Sequence, residues 1–173
     1  MAKSQTGLSL VEVVVTLAIV AFALTLALPS YQSVAQANRL SAGSNVLSGS
    51  MHLARSEAVL RGERVTMCVS DDGDRCSATG GWHRGWIVFH DPDANAQRGA
   101  NEALLHVQPA LEALSITGNQ PVARYVSYSS LGWPRLTTGA LQMGTLTVCV
   151  ERQQGRKIVL SRTGRVRLDA ANC

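Results

Sequence analysis

An apolar segment near the N-terminus constrains this chain more than any other feature. Leu8 to Leu28 is a run of 21 residues in which Glu12 carries the only charge. An α-helix needs roughly 20 apolar residues to cross a bilayer core, so the length of the run fits a membrane helix. The preceding leader, Met1 to Gly7, has one Lys and no apolar stretch of its own. A carboxylate within such a helix costs about 2.5–3.5 kcal/mol on insertion scales, so we expect Glu12 to have a functional partner.

The helical pattern continues beyond this segment. Pro29 is expected to kink the helix without ending it. Apolar residues then recur on one face of the continuing helix, at Leu40, Leu47, Met51, Ala54 and Ala58. Gly62, directly after the basic Arg61, occupies a position typical of a helix end. The sequence therefore predicts one helix from about Ser9 to Arg61, with its second half packed on a folded domain.

From Arg64 onward the apolar pattern has a period of two residues, which is typical of β-strands. The predicted strands are residues 65–70, 85–90, 104–108, 113–117, 123–129, 145–151, 156–161 and 164–168. Short connections between the last three strands favour antiparallel hairpins. The expected fold class is α+β, with one long N-terminal α-helix packed on an antiparallel β-sheet domain.

The N-terminal pattern resembles the signal of type IV pilins and pseudopilins. The resemblance lies in the Gly7-Leu8 junction, Glu12, the apolar helix and Pro29 followed by Tyr31. It implies cleavage after Gly7 by a membrane prepilin peptidase, which would also N-methylate Leu8, a position where Phe is commonest in the family. It further implies that Glu12, the fifth mature residue, pairs with the free amine of a neighbouring subunit during assembly.

This resemblance also implies a domain organisation and a location. Residues 1–7 would be the leader peptide, 8–28 the transmembrane and assembly helix, 29–62 the continuing helix and 63–173 the antiparallel β domain. The expected partners are other pilin or pseudopilin subunits, the prepilin peptidase, the inner-membrane assembly platform and, before assembly, the membrane itself. The protein would span the inner membrane once, with a periplasmic domain, and would reach the cell surface in a pilus after assembly.

The order of the later segments is similar to that of the GspH/FimT group of minor pilins. These segments are GWIVFHDPDAN at 85–95, a hydrophobic strand, a Ser-Ser-Leu-Gly turn and a C-terminal TLTVCV…GR hairpin. FimT proteins are minor type IV pilins, and GspH is a minor pseudopilin of the type II secretion system. The basic C-terminal hairpin favours the FimT kind, and a GspH-like secretion pseudopilin is the alternative.

The last 23 residues are the most basic part of the chain. Residues 151–173 carry six basic and two acidic side chains. In a strand, Arg165 and Arg167 would share one face, while Val166 and Leu168 would point to the core. Gly164 would form a tight turn and could let a phosphate approach the backbone. Further cations in the same hairpin would broaden the patch: Arg162, Lys157 and Arg156.

This basic element looks like the GRxR motif of FimT proteins that bind DNA during natural transformation. Guanidinium groups bind phosphates bidentately and give salt-sensitive binding without sequence preference. We therefore expect weak, non-specific DNA binding by this hairpin. The alternative is an ordinary solvated strand face, because the motif is short and no aromatic residue interleaves with it.

The four cysteines favour disulfides in an exported domain. Chain order suggests the pairs Cys68–Cys76 and Cys149–Cys173, although four cysteines allow three pairings.

Other candidate sites have simpler interpretations. The loop Asp91 to Glu102 matches several positions of an EF-hand calcium loop, but Ala96 replaces the turn glycine and strands flank it, so we predict a turn without metal. The four histidines belong to no catalytic motif: His52, His83, His90 and His106. We therefore expect neither an enzyme nor a cofactor. The three tryptophans are predicted to serve core or turn packing: Trp82, Trp86 and Trp133.

Overall fold

The computed structural model describes residues 7, 9–150 and 154–173, with the side chains of 26–30 and 154 also left undescribed. The chain divides into two compact units, Met1–Asn38 and Arg39–Cys173, which are described separately below. Leu8, one side of the predicted cleavage site, lies outside the described residues. The last residue of the predicted strand 145–151 lies outside them as well.

Helix α1 runs from Leu10 to Arg61 and confirms the predicted helix almost residue for residue. Ser9 caps its N-terminus, because its Oγ accepts a hydrogen bond from the backbone N of Glu12 at 3.3 Å. The backbone stays helical through Pro29, and the helix ends just before Gly62, as expected. In the first unit, the side chains from Leu10 to Thr25 are exposed. Over the described residues, with the gap at 26–30, α1 offers no stretch both long and apolar enough to cross a membrane.

The second unit contains eight strands among its described residues. They are β1 Val65–Val69, β2 Trp86–His90, β3 Leu104–Gln108, β4 Ser115–Gly118, β5 Tyr125–Tyr128, β6 Gly144–Val150, β7 Gln154–Leu160 and β8 Val166–Ala171. They form two antiparallel four-stranded sheets with the orders β3-β2-β1-β5 and β4-β6-β7-β8. The α+β fold is confirmed, with two sheets where the sequence predicted one antiparallel domain.

One hydrophobic core joins the C-terminal part of α1 to both sheets. The five apolar residues predicted to share a helix face are all buried in it: Leu40, Leu47, Met51, Ala54 and Ala58. The buried apolar side chains of the described chain all lie between residues 40 and 160. The unit Arg39–Cys173 therefore contains the buried core of the described residues, and we expect it to fold without residues 1–38.

Both predicted disulfides are present. Cys68–Cys76 closes the loop that follows β1, and Cys149–Cys173 joins β6 to the C-terminal residue. Cys149 lies directly opposite Gly155 in the β6–β7 ladder. A Cβ atom at Gly155 would overlap the Sγ of Cys173, so the absence of a side chain there leaves room for the second bridge.

Candidate functional site

The register of β7 and β8 separates their side chains onto two faces. Opposed residues in an antiparallel pair share a face. Ile158 opposes Leu168 and Leu160 opposes Val166 on the inner face, whereas Lys157 opposes Asp169 and Val159 opposes Arg167 on the outer face. Ile158 and Leu160 are buried, and Val166 packs against the core as predicted. Leu168 was also predicted to point to the core, but it is 41% exposed because β8 is the edge strand of its sheet.

Arg165 directly precedes β8 and extends the outer face toward the hairpin turn. Its carbonyl accepts a hydrogen bond from Ser161 N at 3.0 Å, and its N donates to Ser161 Oγ at 3.2 Å. The two strands thus remain paired up to Arg165, and residues 162–164 form the hairpin turn. Arg165 is therefore two positions from Arg167 on the same face, and both are exposed.

Gly164 is buried against protein groups. Its carbonyl accepts a hydrogen bond from Arg55 Nη1 at 3.3 Å, and its φ is +80°. A Cβ atom at this position would overlap the carbonyl oxygen of Gly132. The sequence suggested that Gly164 lets a phosphate approach, but the structure has a packing contact there, which docks the hairpin turn on α1 and on the turn containing Gly132.

The outer face holds positive charge that is only partly neutralised. Arg167 donates from Nε and Nη2 to the Oδ2 atom of Asp169, at 3.0 and 2.8 Å. Within the described residues, Lys157 and Arg165 have no ion pair. Arg156 does not belong to this face, because it alternates with Lys157 and points to the inner side, where it is half-buried.

Arg162 lies apart from the outer face, at the tip of the hairpin. It lines a cleft of about 240 Å³ together with Thr163, Trp133, Arg135 and Leu141. Trp133 is 44% exposed, whereas Trp82 and Trp86 are fully buried and meet edge to face at 6.3 Å. No aromatic residue interleaves with the basic motif in the sequence, but the fold brings Trp133 from another segment into the cleft beside the hairpin tip. No local pattern predicts this neighbour, because Trp133 is 29 residues away from Arg162.

The acidic loop after β2 forms a compact turn. Three of its carboxylates lie within 4.8 Å of one another, those of Asp91, Asp93 and Glu102. Asp91 is buried, and its oxygens already accept hydrogen bonds from Thr66 Oγ1 and from the backbone N atoms of residues 95 and 96. Burial, followed by the neighbouring Asp93 and Glu102, raises the pKa of Asp91 to about 6. These carboxylates therefore organise the loop itself.

The histidines are placed in unrelated surroundings. His52 is exposed on α1, His106 lies in β3, His83 accepts a hydrogen bond from Ile116 N at 3.4 Å, and His90 contacts Glu63. Among the residues that the structure describes, the acidic loop is the one group of three or more potential metal-ligand side chains. The four histidines therefore form no shared site in the described chain.

The N-terminal site residues lie in the first unit. Glu12 is exposed in the first turn of α1, where an acidic side chain interacts favourably with the helix dipole. Ser9 and Glu12 have the spacing of a capping box, a local role that the sequence interpretation missed although the Ser-x-x-Glu pattern was visible.

Comparisons with known proteins agree with this architecture. The family model described as Type II transport protein GspH matches residues 44–164. The type IV minor pilin FimU of Pseudomonas aeruginosa is 18% identical in each of two crystal forms. The first crystal form has a TM-score of 0.57 and matches 79% of this chain and 95% of FimU. The second has a TM-score of 0.55 and matches 76% of this chain and 97% of FimU.

A minor pseudopilin of the Vibrio cholerae type II secretion system, EpsH, is 15% identical with a TM-score of 0.48, covering 76% of this chain and 97% of EpsH. No curated protein sequence matched the chain. The likeness to FimU shows a shared fold. Because the family model covers well over half of its residues, this chain belongs to the GspH family of minor type IV pilins and pseudopilins.

Proposed function

We propose that this protein is a minor type IV pilin of the FimT kind that binds DNA without sequence preference during natural transformation. The observation that carries the proposal is the exposed outer face of the β7–β8 hairpin, on which Lys157, Arg165 and Arg167 lie together. Asp169 is the one carboxylate among the described residues of this hairpin. The excess of cations suits the phosphates of a DNA backbone, which bind through charge and release counterions.

The N-terminal helix would anchor the protein in the inner membrane and then incorporate it into a pilus, where the outer face could contact DNA. The exposed apolar side chains from Leu10 to Thr25 need a cover of lipid or of other subunit helices, which supports anchorage in the inner membrane followed by incorporation into a pilus or its priming complex. Prepilin peptidase would cut after Gly7 and methylate Leu8, and Glu12 would pair with the amine of a neighbouring subunit. The assembly platform would then move the subunit into the pilus.

The test of DNA binding is a comparison of two double variants of residues 39–173. Arg165→Gln/Arg167→Gln should weaken retardation of duplex DNA at low salt. The slope of log K against log salt concentration should become shallower by roughly one to two, since each lost phosphate contact removes about 0.9. Arg75→Gln/Arg124→Gln removes two exposed arginines elsewhere and makes the same change in net charge. If both double variants retain equal affinity, the outer face does not bind DNA.

A second candidate is a GspH-like minor pseudopilin of the type II secretion system, which the description of the matching family model favours. In that case the β domain would contact other minor pseudopilins. A deletion strain scored in parallel for transformation, piliation and secretion separates the two. Loss of secretion with intact transformation would favour the secretion role.

A further inference from the structure

The cleft beside the hairpin tip presents an indole ring to solvent. The turn that carries Trp133 is closed by its backbone, because the carbonyl of Trp133 accepts hydrogen bonds from the N and Oγ atoms of Ser129, at 2.9 and 3.1 Å. The ring itself is therefore not needed to close the turn. An exposed Trp ring is a large flat surface that a second planar group can stack on.

Two arginines lie in the cleft with this ring. The Cζ atom of Arg135 lies 5.7 Å from the centroid of the Trp133 ring, and Arg135 Nη1 donates to the carbonyl of Gly139 at 3.2 Å. The carbonyl holds one guanidinium by the ring, where cation–π attraction is favourable. Arg162 lines the same cleft from the hairpin tip and has no ion pair within the described residues.

A flat apolar surface next to unpaired guanidinium groups suits a ligand that is planar and anionic. A nucleotide has both properties, because its base stacks on aromatic rings and its phosphate binds arginine. In duplex DNA the base faces are covered by neighbouring bases, so the ring can reach only an unpaired base. The cleft also adjoins the basic hairpin, since Arg162 is three residues before Arg165.

We propose that the cleft between the Trp133 turn and the hairpin tip binds an unpaired nucleotide of single-stranded DNA. The base stacks on Trp133, with Leu141 as an apolar wall, and its phosphate contacts Arg162. This inference rests on the proposed function, to which it adds a preference for DNA that is single-stranded or has frayed ends.

Fluorescence titration of residues 39–173 tests the cleft directly. Trp82 and Trp86 are fully buried, so quenching by added oligonucleotide reports on Trp133. An oligothymidylate of about 12 nucleotides, within the site sizes of single-strand binding proteins, should quench the wild type. Trp133→Leu should abolish this quenching and weaken single-strand binding at least about fivefold, as expected for the loss of one stacked base.

Three controls separate the cleft from the rest of the protein. Trp133→Phe keeps a flat ring and should restore part of the single-strand affinity. Leu131→Ala removes an exposed apolar side chain from the same turn and should leave the affinity unchanged. Duplex retardation should be the same in Trp133→Leu and in the wild type, and unchanged melting curves would show that the variants are folded.

Each outcome bears on a different claim. If oligothymidylate leaves the fluorescence unchanged and Trp133→Leu binds it like the wild type, the cleft proposal is overturned, while Arg165- and Arg167-dependent duplex binding would still support the proposed function. If the wild type binds neither kind of DNA, both are overturned. If Trp133 is essential but Arg165→Gln/Arg167→Gln binds duplex normally, the cleft proposal stands and the outer face loses its role.

Discussion

Replacement of Gly164 by Ala tests whether the hairpin turn is docked as the structure shows. The added Cβ atom would meet two groups, because it would overlap the carbonyl oxygen of Gly132 and lie 3.1 Å from Nε and 3.4 Å from Cζ of the Arg55 guanidinium. Gly164 also has a φ of +80°, in the left-handed region that alanine disfavours. Two separate penalties therefore act on this substitution.

The two penalties have different causes and can be measured separately. The left-handed conformation costs alanine about 1–2 kcal/mol. Forcing a methyl group into a packed contact typically adds about 1–3 kcal/mol. Gly139 provides a matched control, because its φ is +83° and nothing lies within 4 Å of the position its Cβ would take. Gly139→Ala should lose only the conformational part, so Gly164→Ala should be less stable than Gly139→Ala by at least about 1 kcal/mol.

The assay is urea unfolding of residues 39–173 with both disulfides intact. The unfolding transition is monitored by Trp fluorescence. The midpoint should fall for both variants, and further for Gly164→Ala, with equal m-values, since the same surface is exposed on unfolding. If Gly164→Ala is as stable as Gly139→Ala, the turn is not packed against Gly132 and Arg55. Space beside Gly164 would then be open, as the sequence suggested for a phosphate.

Three further predictions concern charge and buried polar groups. Asp169→Asn releases Arg167, so it should strengthen duplex binding and steepen the slope of log K against log salt concentration by up to about one. Glu112→Gln changes the net charge equally and should leave duplex binding unchanged. Tyr128→Phe should raise the free energy of unfolding by about 1 kcal/mol, because the buried hydroxyl has no hydrogen-bond partner in the described structure; a lower midpoint in urea would contradict this. The raised pKa of Asp91 means that folding takes up a proton between about pH 4 and 6, so the stability of the wild type should fall as pH rises through that window, and Asp91→Asn should flatten the curve.

Features governed by local periodicity could be predicted from the sequence. The helix face with Leu47 and Met51 became a buried face because residues at helical spacing stay on one side whatever they pack against. The β6–β7–β8 meander followed from its short connections. The disulfides followed from chain order, since Cys68–Cys76 and Cys149–Cys173 are the pairs nearest in sequence.

Features that depend on segments distant in the chain could not be predicted from the sequence. β4 pairs with β6, not with its sequence neighbour β3, and this choice divides the strands into two sheets. No local pattern specifies it, because alternation indicates which side chains face the core and not which strand lies alongside. Trp133 and Arg162 line one cleft because the turn containing Gly132 docks on Gly164. The same contact makes Gly164 a packing residue, which a motif in one strand cannot reveal.

The Cys149–Cys173 bridge has a mechanical consequence. An edge strand such as β8 has a hydrogen-bonded neighbour on one side only, so it can detach from either of its ends one hydrogen bond at a time. Here Cys173, two residues after β8, is bonded covalently to β6, so β7 and β8 lie inside a closed loop and β8 cannot be peeled away from the Cys173 side. Detachment of β8 must instead begin at the hairpin tip, where Val166 pairs with Leu160, and even then Cys173 stays joined to β6. The bridge thus limits how far the strands of the hairpin can separate from β6 when their hydrogen bonds open.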